Sequence, residues 1–188
     1  MEGIHMQLVR LVVLTLTVLS NTAIAQEPSE KLIASLDQSS TLQAVDVWQE
    51  IGAPCTYQID GQRYSYFSTS VDIGFGVTPF NKGISVERRK LKTLLKAMLD
   101  KGCDINYRHP YTGHLPIHSG VLFYRKNEEL TKFLILSGAD LNAKTPTSDE
   151  LFPNMSSLQI LKGLIEKYPP QAEREKLLEF IKKTVEER

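Results

Sequence analysis

Two nearly identical pentapeptides constrain this chain more than any other feature of its sequence. Gly102–Asn106 reads GCDIN and Gly138–Asn142 reads GADLN, so they differ only by exchanges among small or apolar residues. Each follows a segment whose apolar residues recur at the spacing of one helix face. Glycine is the residue best able to adopt the left-handed conformation at the end of a helix. The sequence therefore predicts a unit that repeats after 36 residues, in which a helix ends at a glycine.

Four segments have the apolar spacing of an amphipathic helix followed by a helix stop. In the clearest, Leu91, Leu94, Leu95 and Met98 share one face of a helix that ends at Gly102. The other three are LQAVDVWQEIG ending at Gly52, LTKFLILSG ending at Gly138, and SLQILKGLIEKYPP ending at Pro169 and Pro170. These segments predict a chain built mainly of helices.

A second motif lies between the two pentapeptides. Gly113–Gly120 reads GHLPIHSG, and the earlier tetrapeptide Thr78–Asn81 reads TPFN. Both resemble the ankyrin signature T-P-L-H-x-A, with Leu115 replacing threonine and Gly120 replacing alanine in the later motif, and asparagine replacing histidine in the earlier one. The second pentapeptide also continues as GADLNAK. Together these residues make the chain similar to the ankyrin repeat family.

The resemblance implies a fold and a structural role for each motif residue. The implied fold class is an all-α ankyrin-repeat solenoid of about four helix-turn-helix units, with hairpin loops, one long aromatic insertion and a C-terminal capping helix. The expected units are 28–55, 78–106, 115–142 and 150–168, with the cap at 171–188, in a single domain from residue 26 to 188. The structural positions of the repeat are Thr78, Pro79, Gly102, Pro116, His118 and Gly138. Proline suits a first helical position, and the family uses the histidine structurally.

The expected insertion, Thr56–Val77, is unusually rich in aromatic residues. It contains Tyr57, Tyr64, Tyr66, Phe67 and Phe75, and its Asp-Gly pair at 60–61 is typical of a two-residue hairpin turn. Two interpretations stay open. The insertion can be an enlarged finger that contacts a partner, or its rings can pack back onto the helices.

The two cysteines, Cys55 and Cys103, follow two of the helix-ending glycines at different offsets. Corresponding positions in stacked repeats lie about 10 Å apart, beyond the limit of about 7 Å between the Cα atoms of a disulfide. The offset can shorten that distance. A disulfide, which an oxidising compartment favours, and a pair of buried thiols therefore remain alternatives.

The first 25 residues have the layout of a secretory signal peptide. Arg10 precedes the apolar run Leu11–Ser20, and Ala23 and Ala25 supply the small residues expected before cleavage. The run is too short for a permanent membrane span, so we expect a periplasmic protein without membrane insertion after cleavage. Acidic and basic residues balance in the remaining chain, which makes nucleic acid a poor candidate partner.

Three of the four histidines, His109, His114 and His118, lie within ten residues. His114 and His118 have the spacing of a helical metal-ligand pair, but Pro116 separates them and no cysteine or carboxylate is close in sequence. The chain also lacks a nucleophile motif, a phosphate loop and a C-x-x-C motif. We therefore expect no metal, no cofactor, no catalytic residue and no enzymatic activity.

The resemblance implies a protein partner, because ankyrin stacks generally bind proteins through hairpin tips and inner helices. The residues expected to contact it are Arg63, Tyr64 and Tyr66 in the insertion, Arg108, His109, Tyr111 and His114 in the following loop, and Lys144 and Asp149 in the next. A signal peptide before a small stack resembles bacterial periplasmic ankyrin-repeat proteins, including immunity proteins against type VI toxins. We expect a cognate toxin as partner. The alternative is an adaptor or stress-protection scaffold that binds other envelope proteins.

Overall fold

The structure is a computed structural model that describes residues 30–77, 84–169 and 172–187. These residues form eight α-helices, one 3-10 helix and one two-stranded sheet. In chain order they are α1 (Glu30–Ser35), α2 (Ala44–Glu50), β1 (Thr56–Ile59), β2 (Gln62–Ser65), α3 (Tyr66–Phe75), α4 (Arg88–Asp100), α5 (Pro116–Leu122), the 3-10 helix (Tyr124–Lys126), α6 (Glu128–Leu136), α7 (Ser157–Lys167) and α8 (Ala172–Glu186). The expected signal peptide and the motif residues Thr78 and Pro79 lie outside the described residues.

The expectation of an all-α ankyrin-repeat solenoid is wrong, because a β-hairpin lies between α2 and α3. Its strands β1 and β2 are antiparallel and place Tyr57 opposite Tyr64. Asp60 and Gly61 close the turn with φ values of 48° and 76°, the two positive values that a tight hairpin turn requires. Tyrosine, threonine and isoleucine also favour extended backbone when one face of a strand is covered. The fold of the described residues is therefore mixed, with many helices and one small sheet.

The helices pack as four consecutive pairs: α1 with α2, α3 with α4, α5 with α6, and α7 with α8. Between pairs, α2 contacts α4, and the helices α3, α5 and α7 contact one another in series. We call α3, α5 and α7 the inner row. The apolar faces of all eight helices contribute to one hydrophobic cluster, so each pair is covered by its neighbours.

Helix α4, which lies in the expected unit 78–106, packs against a helix that precedes that unit. That helix, α3, occupies half of the segment expected to be an insertion. The Ser65 hydroxyl caps its start by accepting a hydrogen bond from the Ser68 N–H, and Gly76 ends it with φ 65°. Phe67, Val71 and Phe75 are spaced four apart and fully buried. Burial in the core thus outweighs the strand preference of these aromatic and β-branched residues.

The C-terminal segment expected as a cap, 171–188, contains the longest described helix, α8. Leu177 and Ile181, spaced four apart, are buried against the rest of the molecule. Its other faces are mostly exposed and charged. Since α8 packs against α7, it is the second helix of the fourth pair.

The repeated pentapeptides form two identical turns that are joined to each other. Gly102 and Gly138 have φ values of 91° and 94°, and an added Cβ would meet no atom within 4 Å, so conformation alone requires glycine there. In each turn the aspartate accepts the N–H two residues later, Asp104 from Asn106 at 2.8 Å and Asp140 from Asn142 at 2.9 Å. The Asn106 side chain then accepts the Asp140 N–H at 2.8 Å. These bonds explain why aspartate and asparagine recur in both copies.

A disulfide joins Cys55, just before the hairpin, to Cys103, just after α4, with a Cα–Cα distance of 5.2 Å. The sequence leaves a disulfide and a pair of buried thiols as alternatives, and the structure has the disulfide. It closes a loop with a sequence separation of 48 residues. It fixes the base of the hairpin against the first of the two pentapeptide turns.

Candidate functional site

A pocket of about 370 Å³ opens between the inner-row helices α3 and α5. Helix α3 contributes Ser68 and Asp72, which are spaced four apart and therefore lie on one face. Helix α5 contributes Ser119, and the loop before it contributes His109 and His114. The pocket wall therefore combines hydroxyl, carboxylate and imidazole groups with apolar side chains, and such convergent polar groups are what orient a ligand in a binding site.

Among the described residues that line this pocket, Asp72 is the only one with a carboxylate. The Ser119 hydroxyl donates to its Oδ1 at 3.0 Å. Burial raises the pKa of Asp72 to about 6, while the Ser119 hydrogen bond and the nearby His114 act in the opposite direction. Within the part of the chain that the structure describes, Asp72 forms no ion pair with a lysine or arginine.

His114 connects the pocket loop to the next loop along the stack. Its Nε2 bonds to the Asp149 carboxylate, which also accepts the N–H groups of Leu151 at 2.8 Å and Phe152 at 2.7 Å. Partial burial acts to raise the pKa of Asp149, but these hydrogen bonds outweigh it and leave the pKa below its usual value. Asp149 therefore holds two loops together.

His118 is buried and has a structural role. Its Nδ1 accepts the Leu115 N–H at 3.1 Å, so its Nε2 carries the proton and donates to the Ala143 carbonyl at 3.0 Å. Burial lowers its pKa, which favours this neutral form. Both ring nitrogens are thus occupied by backbone groups, one from its own turn and one from the following loop.

Beside the pocket, three rings form a cluster that we call the aromatic rim: Tyr64, His109 and Tyr111. Their centroids are separated by 5.7 Å for Tyr64 and His109, 6.1 Å for Tyr64 and Tyr111, and 6.2 Å for His109 and Tyr111. Tyr111 is 68% exposed. Burial, followed by the charge of His114, lowers the pKa of His109, so this ring is neutral at pH 7. The rim joins the hairpin to the loop before α5.

Stacked rings beneath the rim support it. Tyr57 stacks on Tyr64 with centroids 5.4 Å apart and contacts Tyr66 at 4.7 Å. Tyr66, also expected to contact a partner, is only 5% exposed and offers almost no surface for such a contact. It lies at the start of α3, where its ring closes the core under the hairpin. Tyr57, Tyr66, Phe67 and Phe75 of the aromatic segment thus pack onto the helices. Contact of Tyr64 with a partner stays a prediction.

The remaining predicted contact residues are placed at separate points on the loops. Arg63 and Lys144 are exposed. The Arg108 guanidinium donates to the carbonyls of Gly113 at 2.8 Å and Lys144 at 3.0 Å, so it connects adjacent loops. The structure thus brings together Tyr64, His109 and Tyr111 but not the whole predicted set.

The sequence reasoning missed the polar residues contributed by the inner row, Ser68, Asp72 and Ser119. Their signal is present in TSVDIGF, where an acidic residue interrupts an apolar stretch. That signal becomes informative only once the segment is known to be a helix, because the helix period then places Ser68 and Asp72 on one face.

Among the described residues, no group of three or more His, Cys, Asp or Glu side chains is arranged to hold a metal ion. None of the described helices is both long and apolar enough to cross a membrane. Comparison with protein-family models finds no matching family, and comparison with curated proteins finds no matching relative.

Proposed function

We propose that this protein is an exported, non-enzymatic binding module, and that it acts as a periplasmic immunity protein that inhibits a cognate secreted toxin. The observation that carries the proposal is the aromatic rim beside a polar pocket. Tyrosine supplies large contact area with few rotatable bonds, and such residues dominate the energetics of protein interfaces. Here Tyr111 is largely exposed, and Tyr64 and His109 lie next to it.

The rigidity of the surrounding loops supports a binding role. The disulfide fixes the hairpin, Arg108 bonds to two backbone carbonyls, and His114 pairs with Asp149. A surface held in one conformation loses less entropy on binding than a mobile one. The rim and pocket are therefore preorganised for a partner of fixed shape, such as a folded enzyme.

Two further parts of the proposal concern the protein's relationship to ankyrin-repeat proteins and its export. The paired helices and the repeated Gly-x-Asp-x-Asn turn support a relationship to ankyrin-repeat proteins, with a hairpin in place of a regular repeat connection. The disulfide supports export, since structural disulfides persist mainly in oxidising compartments.

The test is capture of a toxin by the full chain, carrying an affinity tag after Arg188, followed by rescue of cells that export the captured toxin. The rim variant replaces Tyr64 and Tyr111 with alanine, and the control replaces Tyr168, an exposed tyrosine next to the end of α7. We expect the wild type and the Tyr168→Ala protein to capture and inhibit one toxin, and the rim variant to lose both activities while remaining folded. Capture of several envelope proteins without any rescue would favour an adaptor instead.

A further inference from the structure

Asp72 lines the pocket, and the described residues satisfy only part of its hydrogen-bonding capacity. A carboxylate can accept about four hydrogen bonds. In the described part of the chain, the Ser119 hydroxyl is its side-chain donor, and no lysine or arginine pairs with it. A partly desolvated carboxylate that lacks a lysine or arginine partner is unfavourable and attracts a cation. The pocket therefore presents an incomplete ion pair to the outside.

The neighbouring groups suit a planar cation. Ser68 donates its hydroxyl proton to the Tyr107 carbonyl at 3.2 Å, which leaves its oxygen lone pairs available to accept another hydrogen bond. His109 lines the same pocket and contacts Tyr64 and Tyr111, so the pocket wall continues into aromatic faces. Acceptors therefore lie near Asp72, and rings lie beside the pocket.

We propose that this pocket receives an arginine side chain of the protein partner, with Asp72 as its ion-pair acceptor and the aromatic rim as its stacking surface. The inference rests on the proposed binding function and adds the chemistry of one contact. Arginine suits the pocket because its guanidinium is planar, binds carboxylates through two N–H groups, stacks on aromatic rings and is weakly hydrated. A lysine ammonium is more strongly hydrated and has no face to stack. The volume of about 370 Å³ admits the guanidinium together with part of its aliphatic chain.

The arginine contact depends on pH through several groups that face Asp72. His114 and His109 come from the loop before α5, and Tyr57 comes from the hairpin. Acid protonates Asp72, which removes the ion pair. Acid also charges His109, whose pKa burial lowers, and the charged ring then repels an arginine. Both effects have the same sign, so binding weakens as pH falls through the Asp72 pKa of about 6.

The probe is N-acetyl-arginine methylamide, with the citrulline analogue as a neutral control of nearly the same shape. Binding is followed by amide chemical shifts of the purified protein at constant ionic strength. We expect a Kd on the order of 1–10 mM for the isolated side chain, with shifts centred on Ser68, Asp72 and Ser119. The citrulline analogue should cause none of these shifts. Between about pH 7.5 and pH 5 the affinity for arginine should fall about tenfold, as expected from loss of the ionised carboxylate.

The variants are Asp72→Asn, which keeps the side-chain shape without the charge, and Asp46→Asn as a control at an exposed acid of α2. Asp72→Asn should weaken arginine binding at least about tenfold, and Asp46→Asn should leave it unchanged. Lys82, which lies outside the described residues, is replaced by alanine to test for an internal cation. Equal shifts from arginine and citrulline, unchanged binding by Asp72→Asn, or arginine binding that appears only in the Lys82→Ala protein would overturn the inference.

The outcome for the pocket is distinguishable from the outcome for the proposed function. If a captured toxin binds wild type and Asp72→Asn equally well, the arginine contact is wrong while the binding function stands. If the arginine probe binds through Asp72 but no toxin is captured or inhibited, the pocket is correct and the immunity function is wrong.

Discussion

Replacing Asp72 with asparagine should stabilise the free protein, because it removes the charge that the pocket disfavours. Burial raises the pKa of this carboxyl from 3.8 to about 6, so the folded state holds the proton more tightly than the unfolded chain. Ionisation therefore costs the folded state stability, and the cost grows as pH rises from the unfolded pKa to the folded pKa. Above about pH 6 it levels off at about 3 kcal/mol, since each pKa unit corresponds to about 1.4 kcal/mol.

Asparagine keeps the acceptor oxygen for the Ser119 hydroxyl and carries no charge at any pH. The difference in unfolding free energy between Asp72→Asn and wild type should therefore be about 3 kcal/mol at about pH 7.5 and about 1 kcal/mol at about pH 4.5. Urea unfolding followed by circular dichroism measures both values, with an expected midpoint shift of about 1–2 M at the higher pH. The control is Asp46→Asn, which replaces an exposed acid and should change neither value by more than about 0.5 kcal/mol. A stabilisation of equal size at both pH values, or none at all, would refute the reasoning.

Three other changes test the packing that positions the site. Removing the disulfide with a Cys55→Ser, Cys103→Ser double variant should lower the unfolding free energy by about 4 kcal/mol in urea, from the entropy of a loop with a separation of 48 residues; the reduced wild type should match it. Gly74→Ala should destabilise by about 1–3 kcal/mol because the added Cβ would clash with Leu91 Cδ2, whereas Gly163→Ala, with its nearest contact at 3.9 Å, should stabilise by about 0.5–1 kcal/mol. If thermal unfolding shows that both glycine variants change the stability in the same direction, this packing is contradicted. His118→Ala should cost about 2–4 kcal/mol in urea because it leaves the Leu115 N–H and Ala143 carbonyl without their partner, and a loss as small as that of the half-buried His109→Ala would argue against this role.

The helices that the sequence predicts are those with one apolar face and a marked end. Helix α4 is the clearest case, because its leucines recur at helical spacing and Gly102 follows it. Helix α3 was missed for a physical reason. Its tyrosine, phenylalanine, threonine and valine residues favour strands locally, and its buried residues occupy most of its circumference. Contacts with α4 and α5, which lie further along the chain, stabilise it as a helix together with the Ser65 cap and the contact with β2.

In the hairpin, unlike in α3, neighbouring residues determine the structure of one part, the turn. Its Asp60-Gly61 turn is encoded locally, since both residues tolerate positive φ, and the sequence predicts it. The extent of the two strands was not predicted, because Tyr57 becomes buried only when it packs against Tyr66 at the start of α3. The wrong all-α fold class follows from treating this segment as a connection between helices.

The candidate site could be predicted only where its residues are aromatic and lie in or beside loops. Tyr64, His109 and Tyr111 are aromatic residues on turns and strand ends, and that context alone suggests contact with a partner. Their mutual contact, however, depends on the disulfide and on the packing of the hairpin, which the sequence leaves open. Asp72 could not be assigned a role, because its hydrogen-bond partner Ser119 lies 47 residues later.

Ionised Asp72 lowers the stability of the free protein, and this effect is linked to its proposed ion pair in the complex. An arriving guanidinium favours the ionised carboxylate and so removes the penalty that burial imposes on it. The stability lost in the free state is then recovered only when a cation occupies the pocket. A neutral partner side chain of similar shape gains no such recovery and leaves the carboxylate desolvated, so the pocket discriminates by charge as well as by fit. Asp72→Asn should therefore change stability and arginine affinity in opposite directions, a pattern that loss of a purely structural hydrogen bond to Ser119 would not produce.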